Sequence, residues 1–242
     1  MSEKKVLDIL FLIGRPAAGK SEIIDFLKKT PVDERRQRFH IGEFEEIDDF
    51  PMIWSWFEED DILSRAGYPR LHTDAAGYFI DTYLWHLLIQ RLELDFWKLS
   101  REKTGFGDKR TAIIEFARGA EHGGFSGAFA HFSDGLLRRG AVMYIDVPFE
   151  ESLRKNRRRF NPDKPYSILE HGLSDEKLKK LYGASDWEDL SASSREHLRI
   201  RGEQVPYAVF PNADDVTTGH NPELGPRLEH TLGELWDRCQ RT

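Results

Sequence analysis

Eight residues, GRPAAGKS, run from Gly14 to Ser21 between the apolar stretch VLDILFLI and the helical pattern EIIDFLKKT. They satisfy the spacing G-x-x-x-x-G-K-[ST], and each part of it has a chemical reason. Glycines let a loop turn so tightly that its N–H groups converge on phosphate oxygens. A helix that starts near Gly19 points its positive end the same way. The Lys20 ammonium reaches outer phosphates, and the Ser21 hydroxyl suits Mg²⁺. Gly14, Arg15, Pro16, Ala17, Ala18, Gly19, Lys20, Ser21 and Glu22 are therefore the expected contacts of a polyphosphate.

Further chemistry-bearing residues follow. Glu115 ends the apolar run TAIIEF and Arg118 stands just after it. A carboxylate there would hold the water shell of Mg²⁺ or act as a base, and Arg118 would orient an acceptor. The base is either Glu115 or a carboxylate within 43–49. Asp146 ends AVMYID, where it caps the next helix or serves a metal. In RKNRRR, Arg154, Arg157 and Arg158 share one helical face at i, i+3 and i+4. Phosphoryl transfer needs cations over the transferring group, often on a closing segment. The polar stretch 161–189 has a composition that suits such a segment. Arg195 and Arg199 read as surface charges on an amphipathic helix, or as a contribution from its far side. Trp54, Trp56 and Phe57 read as core or as a stacking surface for a planar acceptor. His40, His72, His86, His122 and His131 form no metal-binding spacing.

These residues need a frame. Residues 6–13, 111–116, 141–147 and 205–210 are short apolar runs that read as buried strands, and 38–41 as a short second strand. Helical periodicity marks 20–29, a long stretch from a cap at Thr73 or Asp74 toward Gly105, 128–139, the helix after Pro148, and 226–239. Residues 48–70 read as irregular or as short helices. Strands alternating with helices predict a parallel, doubly wound sheet with its ligands beyond the strands' carboxyl ends. The first loop and the ends of TAIIEF, AVMYID and VPYAVF would meet on that edge.

Composition narrows the classes. A chain of 242 residues fits one α/β domain with a sizeable insertion. The net charge of −7 argues against a general nucleic-acid binder. No apolar run approaches the roughly 20 residues that cross a bilayer, and the start reads as a strand rather than a signal peptide. The single cysteine, Cys239, excludes an internal disulfide framework and suits the cytoplasm. From 43 to 61 there are nine acids and no Lys or Arg, which favours a neutral or cationic acceptor there.

The order of GRPAAGKS, IIEFARG, YIDVPFEESLRKNRRRF and VPYAVFPNADD resembles the P-loop nucleoside and nucleotide kinase family. The resemblance implies a three-layer α/β fold with a five-stranded parallel sheet, one domain over 1–242. It places a helical acceptor insertion at about 42–72 and a lid at about 154–189. It implies ATP and Mg²⁺ as cofactors, with Ser21 and Glu115 toward the metal. Lys20, Glu115, Arg118, Arg154, Arg157 and Arg158 would carry catalysis, and the stretch from Asn212 would contact the nucleotide base. The expected activity is a small-molecule kinase acting on a hydroxyl, nucleoside-like or another neutral metabolite. A nucleoside monophosphate kinase, a nucleotide-dependent switch and a domain that only binds are the alternatives. The expected partners are a nucleotide and a small acceptor, with no nucleic acid and no membrane; a homodimer stays open.

Overall fold

The computed structural model describes residues 5–159, 163, 173–219 and 221–241. In chain order the elements are β1 (Ile9–Gly14), α1 (Lys20–Lys29), α2 (Val32–Phe39), β2 (Glu43–Asp48), α3 (Phe50–Arg65), α4 (Tyr83–Glu102), β3 (Arg110–Phe116), α5 (Gly124–Ala130), α6 (Asp134–Leu137), β4 (Gly140–Asp146), α7 (Phe149–Arg159), α8 (Asp175–Tyr182), α9 (Trp187–Ser191), β5 (His197–Ile200), β6 (Glu203–Pro211) and α10 (Leu224–Arg241).

β1 is buried along its whole length, and its side chains alternate between two apolar clusters. Ile9, Phe11 and Ile13 join α4 and α5 on one face of the sheet; Leu10 and Leu12 join α1 and α10 on the other. A strand so apolar on both sides must lie in the sheet's interior with helices above and below. Parallel neighbours β3 and β4 flank it. The helices supply matching stripes: Ile23, Ile24 and Leu27 on α1, and Leu228, Leu232 and Leu235 on α10. Fully burying each such side chain contributes about 1.5–3 kcal/mol.

The sheet has six strands in the order β2-β3-β1-β4-β6-β5. It is a mixed sheet, which corrects the expected five-stranded parallel one. β5 pairs antiparallel with β6 and closes one edge. The other edge is β2, EFEEID, whose glutamates are held in ion pairs: Glu43 with Arg110 at 2.7 Å, Glu46 with Lys28 at 2.6 Å, and Glu45 with Lys103. The second strand is therefore not 38–41, which closes α2, but the acidic stretch that follows it.

Other boundaries differ too. Residues 50–65 form the single helix α3 rather than an irregular region. The long helix begins at Tyr83, not near Thr73. Buried Asp60 accepts the N–H groups of Leu71, His72 and Thr73 at 2.6–3.2 Å, and the chain then forms a bridge between Thr73 and Phe79. The expected helix 128–139 is two pieces, α5 and α6, separated at Ser133, whose hydroxyl caps α6. Arg199 lies in β5 and Arg195 just before it, so neither sits on an amphipathic helix. Among the described residues, no helix is long and apolar enough to cross a membrane.

Candidate functional site

The loop between β1 and α1 shows a backbone held in a costly shape. Ala17 has φ +55° and Gly19 has φ +111°. A left-handed alanine costs on the order of 1 kcal/mol and persists only where its surroundings hold it. At Gly19 a Cβ would also lie 2.5 Å from Thr217 Oγ1. Glycine is thus required there twice over. The surroundings supply the restraint: Ser152 Oγ donates to Pro16 O at 2.7 Å, and Asn212 Nδ2 donates to Ala18 O at 2.8 Å. The loop and the first turn of α1 open onto a cavity of about 1190 Å³.

Strand register brings the carboxylates to that cavity. Asp48 of β2 is the direct partner of Glu115 of β3, and Glu115 is the partner of Leu12 of β1. The two side chains alternate with Ile47 and Ile114, which face α4 and α5. Asp48 and Glu115 therefore project toward α1, where Lys20 is 7% exposed. Lys20 Nζ is 3.9 Å from Glu115 Oε1 and donates to Arg15 O at 3.3 Å. Burial pushes Glu115 up to about 8, with Lys20 opposing and Asp48 adding to the rise. Burial and then Asp49 push Asp48 up to about 6. Two carboxyl groups crowded out of water beside one lysine make a place where added positive charge is strongly favoured.

Arg118 forms the next layer. Its Nη1 lies 2.7 Å from Asp49 Oδ2, and its guanidinium stands over Trp85 at 5.2 Å. Trp85 stacks on His122 at 3.8 Å and meets Phe79 edge-on at 4.6 Å. Burial, then the charge of Arg118, pushes His122 down to about 3, so it is neutral at physiological pH. Trp54, Phe57, Phe79 and Trp85 line this end of the cavity. Trp56 does not: it stacks on His72 at 4.8 Å, behind the wall.

The roof comes from α7 and α8. Arg158 and Lys155 line the cavity, and Lys155 Nζ donates to Asp215 at 2.7 Å and Thr217 at 3.0 Å. Lys180 stands 4.1 Å over the Tyr78 ring. The carboxyl end of α8 is seated on the main body, because Gly119 lets the backbone approach. A Cβ there would fall 1.9 Å from Leu181 O. Arg15 does not line the cavity; its guanidinium donates to the carbonyls of Tyr182 and Gly183, tying the loop to α8.

Pro16 to Glu22, Glu115, Arg118 and Arg158 thus meet around one cavity. Gly14 closes the strand behind it and packs on Ile145 and Ala18. Asn212 is buried beneath the loop as a brace rather than at the lining. Arg154 pairs with Glu151 and Asp215, and Arg157 Nε donates to Asp175 at 3.1 Å, both away from the cavity. Asp146 is exposed and also outside it. Arg65 and Arg70 do not reach the lining; Arg70 holds Asp61 and Thr73. Of the expected lid, residues 160–162 and 164–172 lie outside the described residues. Sequence reasoning reached Asp48 and Asp49 only as members of the candidate carboxylates 43–49, named His122 only among histidines without a metal-binding spacing, and did not single out Trp85, which carries no local pattern.

No family model matches the chain, and no curated protein matches it. Among solved structures it is similar to TT1252 from Thermus thermophilus, at 17% identity over 96% of this chain and 99% of that one, with a TM-score of 0.46.

Proposed function

We propose that the protein is a Mg-ATP-dependent kinase that phosphorylates a hydroxyl on a small, uncharged acceptor. One observation carries the reading: buried Lys20 and Glu115 face each other at 3.9 Å where the GRPAAGKS loop opens onto a large cavity. Phosphoryl transfer asks the protein mainly for position and charge. Loop N–H groups and Lys20 would hold the β- and γ-phosphates, and Arg158 would approach from the roof.

The oxygen donors Ser21 and Glu115 suit Mg²⁺. Among the described residues, no group of three or more acidic, His or Cys side chains is arranged to hold a metal by itself. The ion would take most of its ligands from phosphate and water, as Mg²⁺ commonly does. Bound there, it would neutralise phosphate charge. Asp48, pushed up to about 6, is matched to accept the acceptor's hydroxyl proton near neutral pH. Arg118, already neutralised by Asp49, would position the acceptor against Trp85.

Among the described residues, no Lys or Arg from α3 or the 66–82 segment lines the cavity. The cations over Tyr78 of that segment are Lys177 and Lys180 of α8, and it is the acids Glu46, Asp48 and Asp49 in the lining that favour an uncharged acceptor over a nucleoside monophosphate. The test is ADP release from Mg-ATP with nucleosides, nucleoside monophosphates, sugars and amino alcohols in turn. One class should stimulate release strongly, and Lys20→Ala should abolish it. Equal slow release with every additive would overturn the kinase reading in favour of a switch.

A further inference from the structure

Seven of the eight large apolar side chains exposed among the described residues lie within 62–94. Exposed apolar side chains that share one helix face mark an interaction surface. On α4, Tyr83, Leu87 and Leu94 are 57%, 43% and 47% exposed and follow one helical face, forming a ridge. Beside the ridge, between α3 and α4, runs a groove of about 430 Å³. Met52 and Trp56 line it, with Glu59 contributed by α3 and Leu87 and Arg91 by α4.

We propose that this face binds a second copy of the chain about a twofold axis, the α4 ridge of each copy seated in the groove of the other. Ridge and groove adjoin on one surface, which is what a twofold interface requires of a self-complementary patch. The charges fit the same axis. Glu59 makes no ion pair or side-chain hydrogen bond among the described residues. Arg91 holds Asp95 through Nε alone, at 3.1 and 3.2 Å, which leaves its terminal nitrogens for another carboxylate. Seating Leu87 in the opposite groove brings Arg91 to the partner's Glu59, and the reverse. The groove carries one acid and one base, Glu59 and Arg91, so it offers no net basic surface to an anionic membrane.

The interface has a bearing on the cavity. Trp56 packs edge-on against Phe79 at 5.7 Å, and Phe79 lines the cavity's aromatic end. A second copy in the groove would press on the back of that wall.

Sedimentation velocity on the full chain, over about a hundredfold range of concentration, tests the proposal. The wild type should form a dimer. Leu87→Asp, a change at an exposed site, should leave the circular dichroism unchanged and give a monomer. Glu59→Arg and Arg91→Glu should each weaken association by at least about tenfold, which is about 1.4 kcal/mol. Mixing those two variants should restore a dimer, because each mixed pair then places opposite charges together. A wild type that stays monomeric overturns the proposal, as does a dimer indifferent to Leu87→Asp. Failure of the mixture to recover overturns the twofold pairing. Association only with vesicles or with another protein would give the patch to that occupant instead.

Discussion

Arg118 and Asp49 meet at 2.7 Å with side chains only 1% and 6% exposed. Each charge is tolerated out of water because the other is there. Removing one partner leaves an uncompensated buried charge, which typically destabilises by about 3–5 kcal/mol. Arg118→Met and Asp49→Asn should each lower the unfolding free energy obtained from urea denaturation by that order. The double variant should recover much of the loss, since two apolar or neutral groups replace a desolvated pair. Additive losses in the cycle would show that the two residues act separately.

Glu115 and pH are linked in a definite direction. Its carboxyl is raised in the folded state, so between about 4.5 and 8 the native protein holds a proton that the unfolded chain has released. Stability must therefore fall as pH rises through that window. Glu115→Gln removes this dependence. The variant should match the wild type near pH 4 and exceed it at pH 8–9, by about 1–3 kcal/mol after the opposing pull of Lys20. Thermal melts across pH would read it. Under the proposed function the same variant loses turnover, a stability gained at the expense of activity.

Asp60 works with the opposite sign. Burial acts to raise its carboxyl, but hydrogen bonds from the Thr73 hydroxyl and the N–H groups of Leu71, Thr73 and His72 outweigh it and hold it well below the ordinary range. Its contribution is present above about pH 4 and is lost as pH falls below that. Asp60→Ala leaves buried donors unpaired and should cost about 2–4 kcal/mol at pH 7. The gap to the wild type should narrow in acid. A constant gap from pH 7 to pH 2 would contradict the hydrogen-bonding account.

Gly119 has an ordinary backbone angle, so its importance is purely steric. Gly119→Ala places a methyl against Leu181 O and must lift the end of α8. The expected loss is about 1–3 kcal/mol, typical of overpacking. Hydrogen exchange should accelerate in 173–183 well before it does in β1.

The central strands were legible because burial on both faces writes itself as a continuous apolar run. ILFLIG, TAIIEF, AVMYID and VPYAVF all declare themselves this way. The edges were not legible. EFEEID reads as an acidic tract because one face meets solvent and its glutamates are satisfied by Arg110, Lys28 and Lys103, contacts distant in sequence. HLRI is too short to show a period. The helix α3 is obscured because its aromatic residues face both the cavity and the α3–α4 groove. At the site, the loop, Glu115 and Arg118 converge because strand ends in such a sheet share an edge. The arginines of α7 could not be sorted from sequence, since Asp175 and Asp215 decide which of them turn away.

The charged edge strand has a consequence for how the protein fails. A sheet that ended in an apolar β2 would offer its unpaired backbone to any passing strand. Here, an incoming chain would have to displace three ion pairs and then lie against a row of carboxylates. Replacing Glu43, Glu45 and Glu46 by glutamine would remove both the ion pairs and the row of charge. The triple variant should therefore enter cross-β deposits through this edge sooner than the wild type does.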